Sequence, residues 1–136
     1  MRRRRLIARL RAVNYAYVDG SFEEETGRGA YGVVLLRPRR AAALLGGTLE
    51  ELRDCNAAEL QALRAALLSA PAGESLSVYV DNTEVLRALR RGSGPLAHEA
   101  RAIWQLSAER ELNVRLFRAP RSHRYMRRAH ELAWAA

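Results

Sequence analysis

Lysine is missing from this sequence. All 23 basic residues are arginine, set against 15 acidic ones, which leaves a formal charge of +8. Cysteine is nearly missing too: Cys55 stands alone, which excludes an intrachain disulfide scaffold and fits a reducing, cytoplasmic setting. No apolar run approaches the roughly 20 residues that cross a bilayer. Met1 and Arg2 to Arg5 lead into Leu6, Ile7, Ala8 and Arg9, too short and too charged a stretch for a signal-peptide core, so neither secretion nor membrane insertion is expected. With 136 residues, 49% hydrophobic and 28% charged, the composition is that of one globular domain able to bury a core without staples. The arginine excess has two readings that charge alone does not separate. Guanidinium forks phosphate and stacks on bases, which points to a polyanionic partner, whereas a GC-rich coding sequence yields the same Ala- and Arg-rich chain.

Residues 1–13 read as a basic N-terminal arm and residues 14–136 as the folded domain. Tyr15 to Asp19 predicts a strand closed by Gly20 and Ser21. A Glu- and Gly-rich turn leads to a second strand over Ala30 to Arg37, and a third follows over Ala41 to Thr48, so the first three form an antiparallel meander. Leu60, Leu63 and Leu67 then recur at helical spacing behind Asn56 as N-cap, and Pro71, Ala72 and Gly73 stop that helix. A strand over Ser75 to Val80, a short helix to Arg91, a longer one over Leu96 to Glu111, a strand over Leu112 to Phe117 and a last helix from about Tyr125 complete the order βββαβααβα. A right-handed crossover through the Asn56 helix returns the fourth strand parallel to the first, on its free edge. The expected fold is therefore α/β, a five-stranded mixed sheet of order 3-2-1-4-5 with helices on both faces.

That topology places Asp19 and Asp81 at the carboxyl ends of adjacent strands, where the chain leaves in opposite directions and open α/β sheets bind ligands. Two ionised carboxylates on strands about 4.8 Å apart repel unless a cation lies between them, and hard oxygens suit magnesium or manganese. Each Asp alone also reads as turn punctuation, with Asp81 and Asn82 capping the next helix. Glu59, expected in the first turn of the crossover helix, is explained alone by the helix dipole. Three acids meeting at one switch point are harder to dismiss.

Taken together, Tyr17 to Ser21 (YVDGS), Gly29 to Val34 (GAYGVV), Asn56 to Leu60 (NAAEL) and Val78 to Asn82 (VYVDN) resemble the four ordered motifs of the ribonuclease H type 1 family. Ala129 to Ala133 (AHELA) is similar to its closing segment, in which an Asp normally precedes x-Leu-Ala. The resemblance spans residues 14–136. It implies a ribonuclease H-like fold and an endonuclease that hydrolyses the RNA strand of RNA/DNA hybrids with two Mg2+ or Mn2+ ions. Asp19 would bridge both ions, Glu59 and Asp81 would hold the one near the leaving 3′ oxygen, and His130 would occupy the position of the missing Asp. Ser21, Asn56, Asn82 and His123 are the substrate contacts expected from it, Asn56 at the RNA backbone or a 2′-hydroxyl, while Arg121 and Arg124 read from their charge either as further contacts to hybrid phosphates or as the solvated face of a basic helix.

His130 is the main departure. Imidazole is a softer ligand that suits manganese better than magnesium. Glu131 is no substitute, because neighbouring helical side chains point about 100° apart. Two alternatives follow: a catalytically weak or inactive nucleic-acid-binding domain of this fold, and a nuclease of this fold that cuts double-stranded RNA or branched DNA. Three acids kept within a basic surface favour an enzyme over a pure binder.

Overall fold

In the computed structural model, which describes residues 12–136, the chain builds five strands: β1 (Val13–Glu23), β2 (Arg28–Leu36), β3 (Ala43–Leu49), β4 (Ser75–Val80) and β5 (Asn113–Arg118). Among the described residues the helices are α1 (Cys55–Ser69), α2 (Thr83–Arg91), α3 (Ala97–Glu109) and α4 (Arg124–Ala135). The sheet order is β3-β2-β1-β4-β5, with β4 parallel to β1 and to β5 and the meander antiparallel, as the crossover argument required. No helix among these residues is long and apolar enough to cross a membrane.

Alternation along the strands divides the core in two. Ala16, Val18, Val33, Leu35, Leu76, Val78 and Val80 face Leu60, Leu63 and Leu67 of α1 and the buried sides of α2 and α3. The opposite residues, Tyr17 and Val34, meet Met126 and Ala129 of α4. A fully buried Leu contributes roughly 1.5–3 kcal/mol, so the periodic leucines that identified α1 in the sequence also fix it to the sheet.

Three local expectations change. β1 does not close at Gly20 and Ser21: Gly20 to Glu23 remain paired with Tyr31 to Arg28 of β2. It also opens at Val13, which pairs with Ser75, so the strand reaches into the segment read as the arm; residues 1–11 of that arm lie outside the described residues. The N-cap of α1 is Asp54, whose Oδ1 accepts a 2.8 Å hydrogen bond from the Ala57 N–H. Asn56 is thereby released from capping. Glu59 becomes the fifth residue of the helix and no acid stands in its first turn, so the dipole no longer accounts for Glu59.

Two glycines set the spacing on which the site depends. A Cβ on Gly20 would lie 2.6 Å from the Ala58 carbonyl carbon and the Glu59 nitrogen. A Cβ on Gly32, the β2 partner of Asp19, would lie 2.0 Å from the Ala129 carbonyl oxygen. Backbone cannot yield at such distances. Glycine at these positions lets α1 close on one side of β1 and α4 on the other, one carrying Glu59 and the other His130.

Candidate active site

Tyr17 and Tyr79 pair across the parallel β1–β4 junction, so Asp19 and Asp81 occupy matching positions two residues further on. Asp19 is almost completely buried, 2% exposed, while Asp81 is partly open to solvent. Glu59 descends from α1 at 5% exposure, and its Oε2 is buried without a hydrogen-bond partner. Burial first, then the charges of Asp19 and Asp81, push the Glu59 carboxyl up to about 8 against the opposing pull of Asn82 and Arg121. Both other acids are therefore felt at Glu59.

His130, expected from the sequence at a fourth position, lies against Asp19. Nδ1 of His130 lies 2.7 Å from Oδ2 of Asp19. With the Asp19 carboxylate as acceptor Nδ1 carries the proton, and the neutral tautomer that makes this bond leaves the lone pair on Nε2. Nε2 has no hydrogen-bond partner among the described residues, and the Trp134 indole lies beside the ring at 5.7 Å. Asp81 is approached from the β5–α4 connection: Arg118 reaches Oδ1 at 3.7 Å and Arg121 reaches Oδ2 at 4.0 Å. Both contacts are long and solvent-exposed, and such pairs contribute little to stability.

Asn82 caps α2, its Oδ1 accepting from the backbone N–H groups of Glu84 and Val85. Its amide donates to Asn56 Oδ1 at 2.5 Å, and Asn56 donates to Glu84 Oε2 at 3.0 Å. This chain of amides joins α1 to α2 along the rim of the carboxylates. Glu84 was not among the residues anticipated from sequence, nor was Cys55 as a site residue. The Cys55 thiol donates to the Gly20 carbonyl at 3.7 Å and is held protonated by desolvation and by Glu59 and Asp19. Only the helix register, which puts residue 55 one turn before residue 59, could have signalled it.

Other expected contacts lie elsewhere. Ser21 is buried, and its hydroxyl donates to the Ala133 carbonyl at 3.3 Å, fastening α4. His123 caps α4 through Nδ1, which accepts from the Tyr125 N–H, and stacks on Tyr17 at 5.0 Å. Arg124 lies over the Tyr125 ring at 4.4 Å and bonds its hydroxyl.

Among the described residues no three His, Cys, Asp or Glu side chains form a ready-made metal ligand set. The fit to a divalent cation rests instead on Glu59, a buried carboxylate with one orphaned oxygen between two other acids. Hard oxygen donors that repel one another are what such a cation neutralises. The state of Glu59 also carries a stability signature. Its folded pKa exceeds the ordinary 4.5, so its contribution is full below that value and is lost as pH rises toward 8. In chelator, thermal stability should fall across this range, and Glu59→Gln should flatten the fall and raise Tm at pH 8 by several degrees. Melting curves across the pH series check this; a lower Tm for Glu59→Gln at pH 8 would contradict it.

The RNase H family model matches residues 12–132. Among solved structures, LC11-RNase H1 isolated from compost superimposes with a TM-score of 0.75 at 22% identity, over 90% of this chain and 94% of that one. The same enzyme solved in complex with an RNA/DNA hybrid gives 0.74 at 22%, over 90% and 95%. RNase H1 from the halophilic archaeon Halobacterium salinarum NRC-1 gives 0.72 at 24%, over 91% and 96%. At these identities the structural likeness is one of fold. No curated protein matches the chain.

Proposed function

Because the chain belongs to the RNase H family and is by that membership a ribonuclease H-type endonuclease, we propose that it hydrolyses the RNA strand of RNA/DNA hybrids at Asp19, Glu59 and Asp81. One observation carries the reading: Gly20 and Gly32 bring α1 and α4 against β1, so that an orphaned Glu59 and a buried Asp19 share the strand ends with Asp81. A structural relative bound to an RNA/DNA hybrid supports the choice of substrate.

Asp19, Glu59 and Asp81 would hold the divalent ions, with His130 at the fourth position. Bound there, two such ions lower the pKa of the attacking water and stabilise the departing 3′ oxygen. The protein's own groups prepare the site. His130 orients the Asp19 carboxylate through Nδ1. Arg118 and Arg121 balance the exposed Asp81 and can pass to a phosphate, for which the guanidinium fork is suited. The Asn56–Asn82 pair presents amides at the rim, where a 2′-hydroxyl, donor and acceptor at once, marks RNA from DNA. His123, as the cap of α4, serves to anchor the connection that carries Arg121.

One feature favours the second reading, a hybrid-binding domain of low activity: the imidazole already engages the buried oxygen of Asp19. Both readings are tested by incubating labelled hybrid, RNA duplex and DNA duplex with Mg2+ and Mn2+ in parallel. Hybrid-specific cleavage supports the enzyme; binding without cleavage under either ion supports the second reading.

Hybrid affinity should fall steeply with salt, because each neutralised phosphate releases counterions and contributes about −0.9 to the log–log slope on a duplex. Deleting Arg2 to Arg5 should flatten that slope if the arm contacts the backbone. Titrations by anisotropy at several salt concentrations measure it, and an unchanged slope would leave the arm without a role in binding.

A further inference from the structure

We propose that the sheet face over β1, β4 and β5 that α4 leaves uncovered among the described residues, with its exposed Tyr15, Phe117 and Arg115, binds single-stranded nucleic acid. The inference rests on that face alone and is independent of the carboxylate assignment.

Among the described residues the last helix, α4, packs chiefly on β1, β2 and β3 rather than on β4 and β5, while α2 packs on the other side of those two strands. Register puts two rows across this area: Tyr17, Tyr79 and Phe117 in one, Tyr15, Ser77 and Arg115 in the next. The aromatic row is continuous. Tyr79 stacks on Tyr17 at 4.7 Å and 8° and on Phe117 at 5.3 Å and 24°. His123 extends the row beyond Tyr17. At the other end, on edge strand β5, no further ring among the described residues faces Phe117, which is 40% exposed; Tyr15 is 41% exposed. What sets these rings apart from the other large exposed hydrophobic side chains, Leu44, Leu68 and Trp134, is that they border one stacked row, and contiguous apolar exposure marks an interaction surface where scattered exposure does not.

The chemistry of the surface selects the partner. Its exposed positions carry the rings of Tyr15 and Phe117, Asn113 and Arg115 around the buried Ser75 and Ser77, with no acid on the β4 or β5 positions of this face. Ser77, between Tyr15 and Arg115, makes a floor rather than a ridge. A protein partner of ordinary apolar character would meet few aliphatic groups here. A base offers a π-face to continue the row beyond Phe117 or to lie against Tyr15, and its phosphate meets Arg115; this combination of rings and cations is how single strands are held without sequence preference. A duplex, whose bases are already stacked, gains only the phosphate contact.

The test separates stacking from charge. Anisotropy on the full chain compares short labelled oligo(dT), oligo(U) and an abasic oligomer of equal length. The proposal expects both base-bearing probes to bind about tenfold tighter than the abasic one, since stacking on an aromatic is worth about that per base. Comparing oligo(dT) with oligo(U) shows whether the sugar matters. Tyr15→Ala with Phe117→Ala should erase the preference for bases and leave hybrid cleavage within about twofold. Arg115→Gln, at an exposed position, should weaken all three probes severalfold and serves should the aromatic pair be needed for folding. Equal binding of abasic and base-bearing probes by the native chain would overturn the proposal, as would unchanged affinities in Arg115→Gln.

Discussion

Asp19→Asn should abolish hybrid cleavage and leave hybrid binding intact or tighter. The amide is nearly isosteric with the carboxylate, which is 2% exposed and meets His130 at 2.7 Å, so the substitution changes charge far more than shape. It removes the ligand common to both proposed ions and one negative charge beside an incoming phosphate. Losing only an outer-shell partner of a metal costs about 10–100-fold, so losing a shared ligand should exceed about a hundredfold. Single-turnover cleavage and a binding titration on the same hybrid measure the two effects separately. Retention of most of the activity would remove Asp19 from the site.

His130 carries the second large effect. If its Nε2 ligates an ion while Nδ1 holds Asp19, cleavage should be faster with manganese than with magnesium, because the borderline nitrogen is a poor partner for the harder ion. His130→Ala should lower activity with both ions by about 10–100-fold, the cost of a lost ligand or outer-shell partner. His130→Asp should raise the magnesium rate relative to manganese by supplying a hard oxygen. The ratio of the two rates across native chain, Ala and Asp variants is the decisive reading. An unchanged rate and ratio in His130→Ala would make the histidine a bystander to the chemistry.

Much of the fold was legible because hydrophobic alternation gave the strands, the Leu60, Leu63 and Leu67 stripe gave the crossover, and its handedness gave the sheet order. The errors share a physical origin. Gly20 and Ser21 look like turn residues in one dimension, yet Gly20 is needed for the approach of α1 and Ser21 for fastening Ala133 of α4. Asp54 and Asn56 are both cap residues, and only the backbone decides that Asp54 caps. That choice frees Asn56 for Asn82. The acids Asp19, Glu59 and Asp81 stood out in the sequence because the expected strand ends and helix start put them at one switch point, although β1 runs on to Glu23 and Glu59 is the fifth residue of α1. The stacking of His123 on Tyr17 was not legible, because the two come from the ends of the chain and meet only when it folds.

The most direct measurement is the cleavage pattern of an end-labelled RNA/DNA hybrid beside RNA duplex and DNA duplex of the same sequence, with Mg2+, Mn2+ or chelator. The carboxylate site proposed here predicts internal cuts in the RNA strand of the hybrid only, dependent on a divalent ion and lost in Asp19→Asn. Cleavage that persists in chelator, or that survives Asp19→Asn, would contradict it.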